Sequence, residues 1–139
     1  LEIALFDTVL RHLDFAHFAS GSHKMSFSEL FSFGNGVFLD VRAPEEHRAL
    51  LLPLESIEVE NVSIPIDQLP DRVAEIPRDR PIGVFCPTVV RSSVAYAYLR
   101  GMGYEHVRIL DGGYPALAAE FLPGKLHGHS KRAASVVAE

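Results

Sequence analysis

The stretch Ile82-Gly83-Val84-Phe85-Cys86-Pro87-Thr88-Val89-Val90-Arg91-Ser92-Ser93 decides how this chain is read. An apolar run stops at the only cysteine. Four residues separate that cysteine from an arginine, and two serines and a helical pattern follow. A strand feeding a helix through a short loop surrounds the loop with backbone N–H groups and the positive end of the helix. A thiol held there ionises more readily than a free one. Two readings stand at this point: a thiolate nucleophile in an anion cradle, or a buried cysteine closing a strand, since free cysteine is among the most buried residue types.

Working outward, Val37-Phe38-Leu39-Asp40-Val41 is a second short apolar run, as expected of a strand covered on both faces. Pro44-Glu45-Glu46 opens a helix, with proline in its first turn and acids near its N-terminus, and Pro53 stops it. Ser26-Phe27-Ser28-Glu29 fits a capping box for a short helix ending near Phe33, followed by the turn Gly34-Asn35-Gly36. Asn61 to Ile64 predicts a buried strand broken by Pro65. Asp67 is placed to cap a helix through Ala74, with Pro70 in the first turn. Beyond the cysteine, Arg91 to Gly101 predicts a helix with Val94, Tyr98 and Leu99 or Met102 facing inward. His106 to Leu110 predicts the last strand, Asp111-Gly112-Gly113 a turn, and Pro115 to Phe121 a final helix. Strands alternating with helices imply an α/β fold, a central mostly parallel sheet with helices on both faces. Ligands in such sheets lie outside the carboxyl ends of the strands. The two ends that stand out, Asp40-Val41-Arg42 and Cys86-Pro87, are expected side by side.

The chain has 139 residues, the size of one domain. A formal charge of −5 argues against a nucleic-acid partner. One cysteine cannot form an intramolecular disulfide, so a reducing, cytoplasmic setting is expected. No apolar run approaches the roughly 20 residues that cross a bilayer, and Asp7, Arg11, His12 and Asp14 interrupt any signal-peptide core. Leu1 to Ala19 reads as a helix with a wide apolar face carrying Ile3, Phe6, Leu10 and Leu13. Such a face needs a cover: the same domain, a second copy of the chain, or a domain outside this sequence. Ala19-Ser20-Gly21-Ser22 is linker-like, and Gly21-Ser22-His23 resembles a cloning remnant. The expected organisation is therefore residues 1–24 as helix and linker, 25–122 as the domain, and 123–139 as a polar, frayed tail.

Other residues carry less chemistry. His127 and His129 lack the surrounding ligands of a metal site, so no metal is expected, and no cofactor. His47 and His106 read as surface or packed residues. Tyr96, Tyr98, Tyr104 and Tyr114 read as core or rim aromatics, and Glu55, Glu58 and Glu60 as a solvated edge. Asp111-Gly112-Gly113 lacks the glycine and lysine arrangement of a nucleotide-phosphate loop.

Four segments together resemble the rhodanese-like domain family of single-domain sulfurtransferases. Val37 to Glu46 is similar to its D-V-R-x-x-x-E entry motif, and Asn61-Val62-Ser63-Ile64-Pro65 to its N-I-P segment. Cys86 to Arg91 is similar to its active-site loop, and Leu110-Asp111-Gly112-Gly113-Tyr114 to its closing L-x-G-G turn. Order and spacing agree from Met25 to about Leu122. The resemblance implies a three-layer α/β domain and a transferase in which Cys86 takes a sulfane sulfur from a donor such as thiosulfate. The resulting persulfide passes its sulfur to a thiol or cyanide. It further implies an active-site loop of Pro87, Thr88, Val89 and Val90, in which the N–H groups of Thr88 to Arg91 cradle the sulfur. The Arg91 side chain braces that loop and offsets negative charge. Asp40 and Arg42 are supporting residues, with Arg42 expected to pair with Glu45 or Glu46. The implied partners are a small donor, a thiol acceptor and a protein sulfur carrier. Related phosphatases and arsenate reductases carry one more residue in this loop, so the spacing favours sulfur. Arsenate reduction by a relay between cysteines is excluded by the absence of a second one.

The loop also departs from the family pattern. Pro87 lacks an N–H, removing one cradle donor. Val89 stands near a position usually held by glycine, so the loop must avoid positive φ there or be strained. No lysine or second arginine lies inside the loop, which suits polysulfide or a partner's persulfide better than thiosulfate. The same departures motivate a second reading, a sulfur-carrying or regulatory module of low turnover. Leu51 to Val59 replaces the usual H-x-x-G-A stretch, and Leu117 stands where the family often has tryptophan.

Overall fold

Short apolar runs separated by turn chemistry build an α/β fold in the computed structural model of the chain, which describes residues 15–124 and Ala4. The elements are α1 (Phe15–Ala19), β1 (Lys24–Met25), α2 (Phe27–Ser32), β2 (Val37–Asp40), α3 (Pro44–Ala49), β3 (Glu60–Ser63), α4 (Leu69–Arg72), β4 (Ile82–Phe85), α5 (Val90–Gly101), β5 (Val107–Leu110) and α6 (Gly113–Glu120). Short 3-10 turns lie at Leu54–Ser56, Ile66–Gln68 and Val73–Glu75. The strands form one sheet in the order β1-β5-β4-β2-β3, and every described pair is parallel.

Strands β2 and β4 are buried at every position, which is why they read as unbroken apolar runs rather than alternating ones. Alternate residues feed two cores. Leu39, Val41, Val84 and Cys86 join Ala95 and Leu99 of α5 on one face. Phe38 and Phe85 join Phe27, Leu30 and Leu117 on the other, under α2 and α6. Fully burying a side chain of this size contributes roughly 1.5–3 kcal/mol. At Gly83 a Cβ would sit 2.8 Å from Leu110 and Leu30 side-chain atoms, so the missing side chain lets both leucines close over β4. Ser26 caps α2 as expected, its Oγ accepting from the Glu29 N–H at 3.1 Å.

Several local expectations are corrected. Strand β1 was not expected, because two residues carry no readable period. It pairs Lys24 with Ile109 and Met25 with Leu110. Helix α1 is tied to α5 by His17 Nε2 and the Tyr96 hydroxyl at 3.0 Å. The rest of the helix expected over Leu1 to Ala19 lies, apart from Ala4, outside the described residues, as do 125–139 of the tail. The strand expected to be buried at Asn61–Ile64 is instead an edge strand, Glu60–Ser63, exposed or half-buried along its length. Only Ile64, just past its end, is fully buried. Asp67 does not cap the following helix: α4 starts from Gln68 without a side-chain cap, and the expected helix breaks into α4 and a 3-10 turn. On α5 the inward residues are Ser92, Ala95, Tyr96 and Leu99, whereas Val94 is 60% exposed and Met102 also faces solvent. Apolar residues are spread around this helix, so its sequence does not choose a face. The geometry of the preceding loop does.

Candidate active site

Parallel pairing of β2 with β4 sets Asp40 opposite Phe85, and the Val41 N–H donates to the Phe85 carbonyl at 3.1 Å. The two strand ends therefore lie side by side, and Cys86 follows directly from the central strand. Its side chain is buried on the α5 face of the sheet. Pro87 and Val89 are half-buried, while Thr88 and Val90 are exposed at the mouth of the loop.

The sulfur is not isolated. The Ser92 N–H donates to Cys86 Sγ at 3.3 Å, and the Ser92 hydroxyl lies 3.5 Å from it. Burial pushes the thiol up. Hydrogen bonds from the Ser92 hydroxyl, the Ser92 N–H and the N–H groups of Thr88 and Arg91 outweigh it, and the thiol sits below its ordinary value. Ser92 escaped the sequence reading although it stands within the quoted stretch. The signal available was its place in the first turn of α5, where a side chain points back toward the preceding loop.

Val89 adopts the left-handed conformation, φ 72° and ψ −15°, the one described non-glycine residue with positive φ. Of the two outcomes open to this position the strained one is adopted, and for a β-branched residue it costs about 1–2 kcal/mol. Its carbonyl accepts from the Ser93 Oγ at 2.7 Å and from the Ser92 Oγ and Ser93 N–H, both at 2.9 Å. Its side chain packs on the core beneath α5. Val89→Gly is accordingly expected to unfold at higher urea than Val89→Ala, by about 1 kcal/mol, the reverse of their usual order. An alanine variant as stable as the glycine one would remove strain from this account.

The charges are arranged differently from expectation. Arg42 pairs with neither Glu45 nor Glu46 through their carboxylates. Its Nε and Nη2 donate to Asp40 at 2.9 Å and 2.7 Å, and its Nη1 donates to the Leu50 carbonyl at 2.9 Å and the Tyr114 hydroxyl at 3.0 Å. Both partners of the Asp40–Arg42 pair are buried, so each needs the other's charge. The guanidinium also lies 5.7 Å and 5.8 Å from the Phe85 and Tyr114 ring centres. Glu45 instead lies 3.8 Å from Arg48 in the open. Glu46 turns to Arg91, whose Nη2 donates to Glu46 Oε2 at 2.9 Å while Nη1 bonds Oε1. The Arg91 hydrogen bonds, assisted by the Ala43 N–H and nearby Arg42, hold the Glu46 carboxyl down to about 2 against its desolvation. Helix α3 and the start of α5 are thus clamped across the mouth of the loop.

His47 Nδ1 lies 3.3 Å from Asp40 and 3.5 Å from the Ser63 hydroxyl, so this half-buried ring rests on the carboxylate rather than pointing into solvent. Below the loop, a Cβ on Gly113, itself at φ +60°, would collide with the Pro87 carbonyl. Gly113, Glu46 and Tyr114 therefore shape the site, although the sequence offered them only as motif or rim residues. Among the described residues no three His, Cys, Asp or Glu side chains gather as a metal site, and no helix is long and apolar enough to cross a membrane. A cleft of about 710 Å³ opens beside Gly36, Glu60 and Arg80, at the amino ends of β2 and β3, the far end of the sheet from Cys86.

With this geometry in hand, comparison with known proteins is specific. Residues 25–120 match the family described as Rhodanese-like domain. A sulfurtransferase of Allochromatium vinosum is 34% identical over 87 residues, covering 63% of this chain and 76% of that protein. A tRNA sulfurtransferase of Shewanella amazonensis is 34% identical over 76 residues, covering 55% of this chain but 15% of that much longer protein. Among solved structures, a rhodanese-related protein from Thermoplasma volcanium superposes with a TM-score of 0.60 at 24% identity. That match covers 73% of this chain and 95% of the other, and is a likeness of fold.

Proposed function

The chain belongs to the rhodanese-like domain family, and from that premise we propose that it is a sulfurtransferase working through a Cys86 persulfide. The observation that carries this reading is the thiol of Cys86 at a strand-to-helix junction, with backbone N–H donors converging on its sulfur and the Ser92 hydroxyl beside it. In the first step the Cys86 thiolate attacks the outer sulfur of the donor. With thiosulfate, the new S–S bond forms as the donor's own S–S bond breaks, and sulfite leaves with the electron pair. In the second step an acceptor thiolate or cyanide attacks the outer sulfur of the persulfide, and Cys86 leaves as the thiolate. Donors aimed at the sulfur act without reorganising, which is where catalysis gains most.

The loop's furnishing points to the donor. Arg91 is engaged by Glu46, Pro87 offers no N–H, and Thr88 is the only polar side chain between Cys86 and Arg91. No cation in the loop stands free to receive sulfite-like charge. Polysulfide or a partner's persulfide is therefore the preferred donor, ahead of thiosulfate. The buried sulfur and strained Val89 favour one alternative, a sulfur carrier that loads but releases slowly.

Incubation with polysulfide or thiosulfate, followed by intact mass, tests both. A one-sulfur adduct that is absent in Cys86→Ser, and that disappears on adding cyanide or a thiol, is the expected result. An adduct that forms but persists selects the carrier. A wild-type chain that takes sulfur from none of these donors rejects both readings.

A further inference from the structure

The Ser92 hydroxyl has two acceptors within reach and one proton to give. Its oxygen lies 2.9 Å from the Val89 carbonyl and 3.5 Å from Cys86 Sγ, and the residue is fully buried, so water does not serve either partner from its side. The hydrogen bonds around it form a consistent chain when Cys86 is neutral. The thiol S–H donates to Ser92 Oγ, and the Ser92 O–H donates to the Val89 carbonyl. That carbonyl has two lone pairs but three donors, because the Ser93 Oγ and Ser93 N–H reach it at 2.7 Å and 2.9 Å. Losing Ser92 leaves it satisfied.

We propose that Ser92 is a catalytic residue of sulfur transfer, a two-position donor whose hydroxyl faces the Val89 carbonyl while Cys86 is a thiol and turns to the sulfur when Cys86 is a thiolate. When the thiol loses its proton, Ser92 Oγ loses a donor and the sulfur gains a full charge. Rotation about the C–O bond moves the hydroxyl proton from a neutral, over-supplied carbonyl to the anion. No heavy atom moves and no polar group is left unpaired, so the reorganisation is small. The catalytic part of the inference rests on Cys86 being the nucleophile. The thiolate occurs twice in the cycle, as attacking group and again as leaving group when the acceptor takes the outer sulfur. Better stabilisation of a leaving thiolate speeds its departure. The left-handed turn at Val89 has a reason in this arrangement, since it directs one carbonyl at both serines.

The chain's single cysteine makes the test direct, because thiolate absorbance near 240 nm reports Cys86 below the range of the tyrosines. Ser92→Ala keeps the backbone N–H and leaves the ionic neighbours, Arg91 with Glu46 and Arg42 with Asp40, as they are. The titration midpoint is expected to rise by about one pH unit, the scale of one hydrogen bond to a charged group. Transfer to cyanide at neutral pH is expected to fall about tenfold. Ser93→Ala, at an exposed position, strips the carbonyl of one competing donor and so holds the Ser92 proton back. Its midpoint is expected to rise as well, by a smaller amount. A purely structural Ser92 predicts lower stability with both midpoints unmoved, and that result overturns the proposal. Should Ser92→Ala fail to fold, Ser93→Ala decides alone by the same criterion. A wild type that never takes up sulfur overturns the catalytic role together with the proposed function. A wild type that transfers sulfur normally while neither variant moves the titration removes the Ser92 role and leaves that function standing.

Discussion

Arg42→Met is expected to destabilise the fold by about 3–5 kcal/mol, because it leaves the buried Asp40 carboxylate without its cation. The loss extends beyond one pair. The Leu50 carbonyl and the Tyr114 hydroxyl lose their donor, and the guanidinium's contacts with the Phe85 and Tyr114 rings go with it. Arg42 thereby ties the exit of α3 and the start of α6 to the end of β2, beneath the Cys86 loop. Urea unfolding of Arg42→Met, Asp40→Leu and the double variant checks this. Removing both charges is expected to cost clearly less than the sum of the single changes, since a buried charge without a partner is the costly state. Additive effects, or an Arg42→Met variant within about 1 kcal/mol of wild type, would show that the pair is hydrated and weak.

Gly113→Ala carries the second large effect, and it acts on the site more than on the fold. At φ +60° an alanine pays about 1–2 kcal/mol for its conformation alone. Its Cβ would also occupy the space of the Pro87 carbonyl, one residue from the nucleophile. Neither side yields easily: Gly113 begins α6, and Pro87 is fixed between Cys86 and the strained turn at Val89. The displacement therefore falls on the loop, where a shift near 1 Å can cost about a hundredfold in rate. Sulfur loading followed by mass is expected to slow at least tenfold, while urea unfolding changes by only about 2–3 kcal/mol. Iodoacetamide should at the same time reach Cys86 faster, as the loop no longer covers it. Loading at the wild-type rate would mean that the loop yields without moving the sulfur.

Much of this architecture can be read before any coordinates. Short runs such as Val37 to Val41 and Pro81 to Phe85 are too apolar to be half-exposed strands, so a sheet covered on both faces follows. Turn and helix-start residues between them leave little choice but parallel crossovers. The count from Cys86 to Arg91, with Pro87 and Val89 inside it, already predicts a loop short of donors and leaves Val89 either to avoid positive φ or to be strained. What misled were weak local signals. Two residues cannot announce a strand, and β1 has only Lys24 and Met25. The run Asn61 to Ile64 leads along the sheet's edge rather than inside it, beside a Glu60 that is solvated as expected. The apolar residues of α5 surround the helix, so Val94 looked as inward as Leu99.

Composition and spacing by themselves determine the α/β class, the carboxyl-end position of the cysteine and the four-residue loop, because these depend on backbone periodicity and chain connectivity. The tertiary structure alone decides who pairs with whom. Arg42 chooses Asp40, Glu46 chooses Arg91, and the Ser92 side chain rather than the Arg91 guanidinium lies against the sulfur. Those choices follow from burial and from side-chain separations of about 3 Å, whether the partners are close in sequence, as Arg42 and Asp40 are, or on distant elements, as Glu46 and Arg91 are. Hydrogen bonds and charge pairs fall off over such distances too steeply for motif spacing to record them.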